Sequence, residues 1–227
     1  MNSAPSWPTP PDPERRNIER AIVAIVCERG LGNATVDAVC TRAGVEASDF
    51  HSHFRDIEDG YRHLFAQGTS EVLVSAAGAF LESETWTDAI RAVAHAMYRF
   101  MAVDERRAHF LYVEVFAAGE PTQLVRDQGM EGMYELIDQG RGELADPESI
   151  SRATAEAIGG SILQRIRVAL ARDDLEASRL DIPRLLYNVV LPYVGEERAQ
   201  EELRRRPPEP PLGGHLQVAD SPPRAAR

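Results

Sequence analysis

The chain has 227 residues, of which 43% are hydrophobic and 27% charged, and its formal net charge at pH 7 is −11. These proportions are typical of a globular protein, and the length suits one sizeable domain or a small domain joined to a larger one. The acidic balance excludes proteins that coat nucleic acid without regard to sequence, because such proteins depend on an excess of positive charge.

Arginine supplies all 25 basic residues. Contacts to phosphate would therefore come from guanidinium groups, hydroxyls or backbone amides. No apolar run approaches the roughly 20 residues that a membrane span needs, and the N-terminus lacks the pattern of a signal peptide, so we expect a cytoplasmic protein. The two cysteines, Cys27 and Cys40, fall on apolar helix faces. We expect buried thiols there, with a redox pair as the alternative.

The first elements in chain order are an arm and a helix. Residues 1–12 are rich in proline, which predicts a disordered arm. Apolar residues at helical spacing predict a first helix from about Pro13 to Arg29, and Gly30 is its expected C-terminal stop.

The stretch from Thr35 to Phe54 is the most informative part of the chain. It predicts two short helices joined by a tight turn at Ala43-Gly44, which is the arrangement of a helix-turn-helix DNA-binding motif. Thr35 is a good N-cap for the first of them, and Gly44 tolerates the positive φ that such a turn requires. Phe50 and Phe54 give the second helix a buried stripe. Its opposite face is small and polar and suits a groove of DNA: it carries Ala47, Ser48, His51 and Ser52.

The remaining chain is predicted to be helical throughout, with no strand pattern. Helices are expected from about Ile57 to Glu82, Trp86 to Val103, Asp104 to Ala118, Pro121 to Gln139, Pro147 to Ala171 and Ile182 to Arg205. We expect Pro183 in the first turn of the last helix and a kink at Pro192. The composition of residues 207–227 predicts a disordered tail.

The stretch ATVDAVCTRAGVEASDFHSHF resembles the DNA-binding motif of the TetR family of transcriptional regulators, with its Thr cap, Ala-Gly-Val turn and aromatic-rich end. The resemblance extends back through Arg16, Ala21, Ile25 and Gly30, and forward weakly through FLYVEVFAAG, AIGGSI and LPYVG. It implies an all-α fold, with a three-helix DNA-binding domain at residues 13–58 and a larger helical ligand-binding and dimerisation domain at 59–206. It also implies a homodimer that binds a palindromic double-stranded DNA operator and releases it, usually as a repressor, when a small-molecule effector binds. No cofactor and no membrane partner are expected.

The chain departs from the family pattern within the DNA-binding motif. His51 stands where a phosphate-binding Tyr is usual, Ile57 where a Lys is usual, Glu46 where a Ser or Thr caps the recognition helix, and Asp49 where a small or hydroxyl residue is usual. From Glu14 to Phe65 there are seven arginines and nine acidic residues. Because negative charge opposes attraction to phosphate, operator binding is expected to be weak, pH-dependent or lost. The alternative function is a helical dimer that binds small molecules with weakened or lost DNA binding.

The predicted DNA contacts are residues that can reach phosphates or base edges: Thr35, Arg42, Ala47, Ser48, Asp49, His51, Ser52, His53 and Arg55. Arg42 and Arg55 are the best phosphate contacts, with solvated surface charge as the alternative. Asp49 could accept from cytosine or complement the helix dipole. His51 and His53 are two residues apart and point to different faces, so no metal site is predicted.

Methionine and aromatic side chains in the larger domain favour a pocket for apolar molecules, although ordinary core packing is the alternative for each. The predicted lining residues are Trp86, Met97, Tyr98, Met101, Phe110, Glu114, Met130, Met133 and Tyr134, with His95, Gln123 and Gln164 as further polar candidates. The segments from Ala153 to Ala169 and from Pro183 to Val194 are predicted to pair with a second copy. Small residues around Gly159-Gly160 would allow that approach, and a helix kink is the alternative.

An all-helical enzyme is the least favoured function. The sequence has no Ser/His/Asp or Cys/His set, no paired metal motif and no phosphate-binding loop. The best candidate catalytic pair is Glu114 with His95 or His109, and we expect no enzymatic activity.

Overall fold

A computed structural model describes residues 12–209. The predicted arm lies outside the described residues except for Asp12, and the predicted tail lies outside them except for residues 207–209. Within this range the chain forms α-helices, short 3-10 turns and loops, with no strand. The α-helices are α1 (Pro13–Arg29), α2 (Val36–Ala43), α3 (Ala47–His53), α4 (Ile57–Leu81), α5 (Trp86–Val103), α6 (Glu105–Tyr112), α7 (Glu120–Asp138), α8 (Arg152–Ala171) and α9 (Leu175–Leu203).

The first three helices, which we call the head, form for the reasons that the sequence suggests. Asp12 caps α1, since its Oδ1 accepts from the amide of Glu14 at 2.9 Å. Thr35 caps α2 by accepting from the amide of Ala38 at 3.3 Å. Gly44 ends α2 in the left-handed conformation, with φ 70° and ψ 39°, and this turn directs the chain into α3.

The hydrophobic core of the head continues into the helices that follow it. Ile22, Val39 and Phe50 are completely buried and pack in one cluster with Tyr61 of α4 and Phe110 of α6. The Tyr61 hydroxyl donates to the Phe110 carbonyl at 2.8 Å, and the two ring centroids are 4.4 Å apart. Burial raises the pKa of this phenol far above its ordinary value. The head is therefore packed firmly on α4 and α6.

A second core lies among α5, α7 and α9. Trp86 is at its centre, with its ring centroid 5.0 Å from that of Tyr193 and its indole N–H donating to the Leu136 carbonyl at 3.0 Å. Glu202 near the end of α9 is 1% exposed and pairs with Arg91 of α5. This buried ion pair and the aromatic contact tie the last helix to the centre of the chain.

Helix α4 is long and apolar enough to cross a membrane by length and composition alone, with a mean hydropathy of 1.2 in its most apolar window. It is the one such helix within the described part of the chain. Tyr61, Leu64 and Phe65 from its first half are buried in the core that it shares with the head. The first half of α4 therefore belongs to this core, whereas Val74 and Leu81 in its second half are exposed.

The predicted helices α1 and α5 match the structure at both ends, and three other predictions need correction. The segment from Asp104 to Ala118 is α6 followed by a 3-10 turn at Glu114–Ala117. The segment from Pro147 to Ala171 is interrupted, because Ile150 is extended (φ −120°, ψ 131°) and Ser151 is the N-cap of α8.

The last helix begins at Leu175, well before Ile182, because the Asp174 carboxylate caps it by accepting from the Ala177 amide at 3.2 Å. Pro183 consequently lies inside the helix. The break in this helix is at Gly195, with φ 76° and ψ 171°, three residues after Pro192, since glycine tolerates this backbone conformation.

Candidate functional site

The solvent-facing side of α3 is the first candidate site. Ala47, Ser48, His51 and Ser52 are exposed, whereas Phe50 and Phe54 on the opposite side are 0% and 4% exposed. The buried phenylalanines anchor the helix to α1 and α4, so that its small polar side projects from the head. An α-helix of this kind fits the width of the DNA major groove.

Two acidic residues, Glu46 and Asp49, cap the first turn of α3. The Asp49 Oδ2 accepts from the Glu46 amide at 2.9 Å, which is the geometry of a helix cap. Asp49 is half-buried, and Glu46 is exposed. The structure thus gives Asp49 an internal hydrogen bond, while its negative charge remains beside the solvent-facing side.

The arginines near α3 face carboxylates of their own chain. Arg42 makes a two-pronged contact with Glu28, at 2.7 and 2.9 Å. Arg55 is 75% exposed and its Nη2 lies 3.4 Å from Asp59. The Asp59 pKa is lowered by the hydrogen bond from the Arg55 amide and by the contact with Arg62. Contacts from Arg42 or Arg55 to DNA phosphates would have to exchange with these ion pairs.

His53 does not share the exposed side of α3 with His51. Its side chain is 16% exposed and faces the start of α1, where its Nε2 lies 3.4 Å from Asp12 Oδ2 and 3.4 Å from Glu14 Oε1. The different directions of the two histidines follow from their spacing along the helix. The involvement of α1 carboxylates could not be read from that spacing.

The second candidate site is a cavity of about 570 Å³ bounded by α5, α7, α8 and α9. Of the residues predicted to bind a ligand, four line it: Met97, Tyr98, Met101 and Met133. Gln164, a predicted polar candidate, also lines it. The rest of the wall is mainly aliphatic and includes Ile90, Ile162, Ile166, Leu185 and Val189. Sequence reasoning missed these residues, because an aliphatic side chain at a cavity has the same helical spacing as one in the core.

The other predicted ligand residues lie elsewhere for identifiable reasons. Trp86 and Phe110 are buried in the two cores described above. Tyr134 packs so closely on Gly159 that a Cβ there would lie 2.5 Å from its ring. Met130 is half-buried on α7 and is not part of the cavity wall. Glu114 belongs to the contact between head and body, where the body means α4 to α9.

Glu114 links the head to the body by a hydrogen bond. Its Oε2 accepts from the Leu31 amide, just after α1, at 2.9 Å, and its Oε1 lies 3.7 Å from His109 Nδ1. Close by, the Cys27 thiol donates to the Arg106 carbonyl at 3.3 Å, and burial raises the Cys27 pKa to about 12. The catalytic candidate Glu114 is thus occupied in holding the end of α1.

Charged side chains from α8, from α9 and from the loop between them border the cavity. Arg165 pairs with Asp181, and Arg172 and Asp174 also border the space. His95 is half-buried, lies outside the cavity wall, and has its pKa lowered by burial and by neighbouring arginines. The cavity therefore combines an apolar interior with a polar border.

The segments predicted to meet a second copy contain both surface and core. On α8, Gly160 and Ser161 are exposed, whereas Gly159 is covered by Tyr134. Leu186 and Val190 of α9 are buried within the chain itself. Just before the second of these segments, Leu180 of α9 is 56% exposed, the highest exposed fraction of a large apolar side chain in α9 before the break at Gly195.

No protein-family model and no curated protein matches the chain. Solved structures do resemble it. The fatty acid degradation regulator FadR from Bacillus halodurans has a TM-score of 0.68 at 17% identity, covering 80% of this chain and 97% of that one. FadR from Bacillus subtilis, solved with stearoyl-CoA, has a TM-score of 0.65 at 18% identity, covering 80% and 99%.

A TetR-family transcriptional regulator from Bordetella parapertussis has a TM-score of 0.64 at 12% identity, covering 82% of this chain and 97% of that one. At these identities the likeness shows the fold. The chain has the fold of TetR-type regulators, and the predicted fold class is confirmed: an N-terminal helix-turn-helix head followed by a larger helical body.

Proposed function

We propose that this protein is a ligand-responsive transcriptional repressor. As a homodimer it binds a palindromic DNA operator through α3, and a small hydrophobic molecule in the cavity releases it. One observation carries the proposal: a single packed chain joins an exposed helix-turn-helix face to an apolar cavity of about 570 Å³. This function belongs in the cytoplasm, where the DNA is, and needs no catalytic group.

In the proposed complex, α3 of each protomer enters one major groove. Two heads related by a twofold axis would read half-sites roughly 34–36 Å apart. Ser48 and Ser52 would bond to base edges or phosphate, and Ala47 would contact a thymine methyl. His51 and Arg55 would donate to the backbone, while Thr35 and Arg42 would contact phosphates at the edge of the head.

The cavity supports an effector with a large apolar part. Its volume lies within the usual range of small-molecule sites, and Met97, Met101 and Met133 can adjust to the shape of the bound molecule. The Bacillus subtilis relative was solved with stearoyl-CoA, a molecule with a long apolar chain. An effector acts by binding one arrangement of the heads more tightly than the other, so release of DNA is a shift of population.

The charge of the head favours one alternative. Arg42 and Arg55 already face carboxylates, and acidic residues outnumber arginines in this part of the chain. These observations would suit a helical dimer that binds small molecules but has weakened or lost DNA binding. The two functions differ in one measurable property, which is the salt-dependent affinity for an operator.

The test begins with selection of bound fragments from random double-stranded DNA. Binding of an enriched fragment is then measured against salt concentration. A repressor that contacts several phosphates must show a steep slope, about −0.9 per phosphate on a log–log plot. If no fragment is enriched at low salt while the chain still binds apolar fluorescent ligands, the alternative function is the correct one.

A further inference from the structure

Three side chains with metal-binding atoms meet where α3 ends and α1 begins. Asp12, Glu14 and His53 each contribute one such atom, and these atoms all lie within 4.8 Å of one another. We call them the carboxylate-histidine cluster. Asp12 uses Oδ1 to cap α1, which leaves Oδ2 directed at the histidine. The His53 Nε2 is buried and has no hydrogen-bond partner.

The distances in this cluster suit a metal ion better than they suit hydrogen bonds. A charge-assisted N–H···O bond spans roughly 2.7–2.9 Å, whereas both Nε2–oxygen distances here are 3.4 Å. Zinc binds nitrogen and oxygen at about 2.0–2.2 Å, so two ligands of a tetrahedral zinc ion lie about 3.4 Å apart. Both distances from the histidine are therefore close to the edge of a tetrahedral site, and the two carboxylate oxygens lie within 4.8 Å of each other.

The chemistry of the donors agrees with this geometry. Two carboxylates and a neutral imidazole carry two negative charges, which a divalent cation balances. Imidazole selects first-row transition ions such as Zn²⁺ over Mg²⁺ and Ca²⁺, which prefer oxygen ligands. Arg15, a neighbouring cation, is directed to Glu19 and to His63, with Nη2 2.7 Å from His63 Nε2, so Arg15 does not occupy the cluster.

We propose that Asp12, Glu14 and His53 bind one divalent transition-metal ion, with Zn²⁺ as the best fit. The fourth coordination position is left to water. The ion fastens the end of α3 to the start of α1, and it adds positive charge to a head in which acidic residues outnumber arginines. The site does not depend on operator binding, and it is tested without DNA.

The experiment uses the full chain, stripped with a chelator and titrated with Zn²⁺ by calorimetry. A parallel titration with Co²⁺ reports the visible absorption of a tetrahedral site. We expect one ion per chain. His53→Ala and Asp12→Asn should each weaken binding at least about tenfold. Asp12→Asn is the sharper variant, because asparagine remains a good N-cap and α1 stays intact.

His63→Ala is the matched control, because it removes another histidine of the same region that lies outside the cluster. It should bind Zn²⁺ as the wild type does. The proposal is overturned if the folded wild-type chain binds no ion, or if His53→Ala and Asp12→Asn bind as tightly as the wild type. Circular dichroism establishes that each variant is folded, and Glu14→Gln decides the question if His53→Ala is not.

Discussion

The hydrogen bond between Glu114 and the Leu31 amide predicts a measurable loss of stability in Glu114→Ala. Leu31 is 6% exposed, so water cannot readily replace the missing acceptor. A hydrogen bond to a charged group contributes about 1.5–3 kcal/mol. For a chain of this size, each kcal/mol changes the melting temperature by about 2–4 °C. We therefore expect the melting temperature of Glu114→Ala to fall by roughly 3–12 °C.

Glu114→Gln is the control, because its side-chain carbonyl can still accept from the Leu31 amide at 2.9 Å. Thermal unfolding followed by circular dichroism should show a smaller fall for Gln than for Ala. Equal falls in the two variants would mean that the carboxylate charge matters, through His109, and that the hydrogen bond does not. An unchanged melting temperature for Glu114→Ala would refute the reasoning.

Three further changes test other parts of the molecule. Ser48→Asp places a negative charge on the exposed side of α3, so it should weaken operator binding at least about tenfold while unfolding stays within about 0.5 kcal/mol of wild type. Met97→Trp narrows the cavity and should weaken binding of an apolar fluorescent ligand, whereas Met130→Trp, outside the cavity wall, should not. The raised Cys27 pKa of about 12 keeps the thiol protonated at pH 8. A thiol reagent should therefore react with Cys27 far more slowly than with a free cysteine, and the reaction should become faster only as the pH rises toward 12. Mass spectrometry of the labelled chain checks this, and fast labelling of Cys27 at pH 8 would contradict it.

Local signals explain why the head could be predicted closely. Thr35 and Gly44 act within one turn of their position, by capping α2 and by adopting positive φ. Phe50 lies on the apolar side of α3, which the helical spacing of Phe50 and Phe54 already indicates.

The predicted start of the last helix at about Ile182 is too late, because Asp174 caps the helix earlier in the chain. Pro183 then suggested a first turn where there is none.

The sites depend on contacts that no spacing rule encodes. Met97 and Trp86 lie on one helix and are both large and mainly apolar, yet Met97 lines the cavity and Trp86 fills the core. Only the packing of four helices decides between them. Likewise, His51 is the nearest histidine to His53 in the sequence, whereas the fold places His53 beside Asp12 and Glu14. The contacts of His53 with Asp12 and Glu14 join residues that are distant along the chain, so they become visible only in three dimensions.

The shared core between the head and helices α4 and α6 limits how this protein can be divided or recombined. A fragment ending at residue 58 would lose Tyr61 and Phe110 and would open Ile22 and Phe50 to water. Such a fragment should not fold on its own. Chimaeras that exchange the head with that of a protein of the same fold would need to carry α4 and the facing surface of α6 as well. The practical module for engineering is therefore larger than the helix-turn-helix itself.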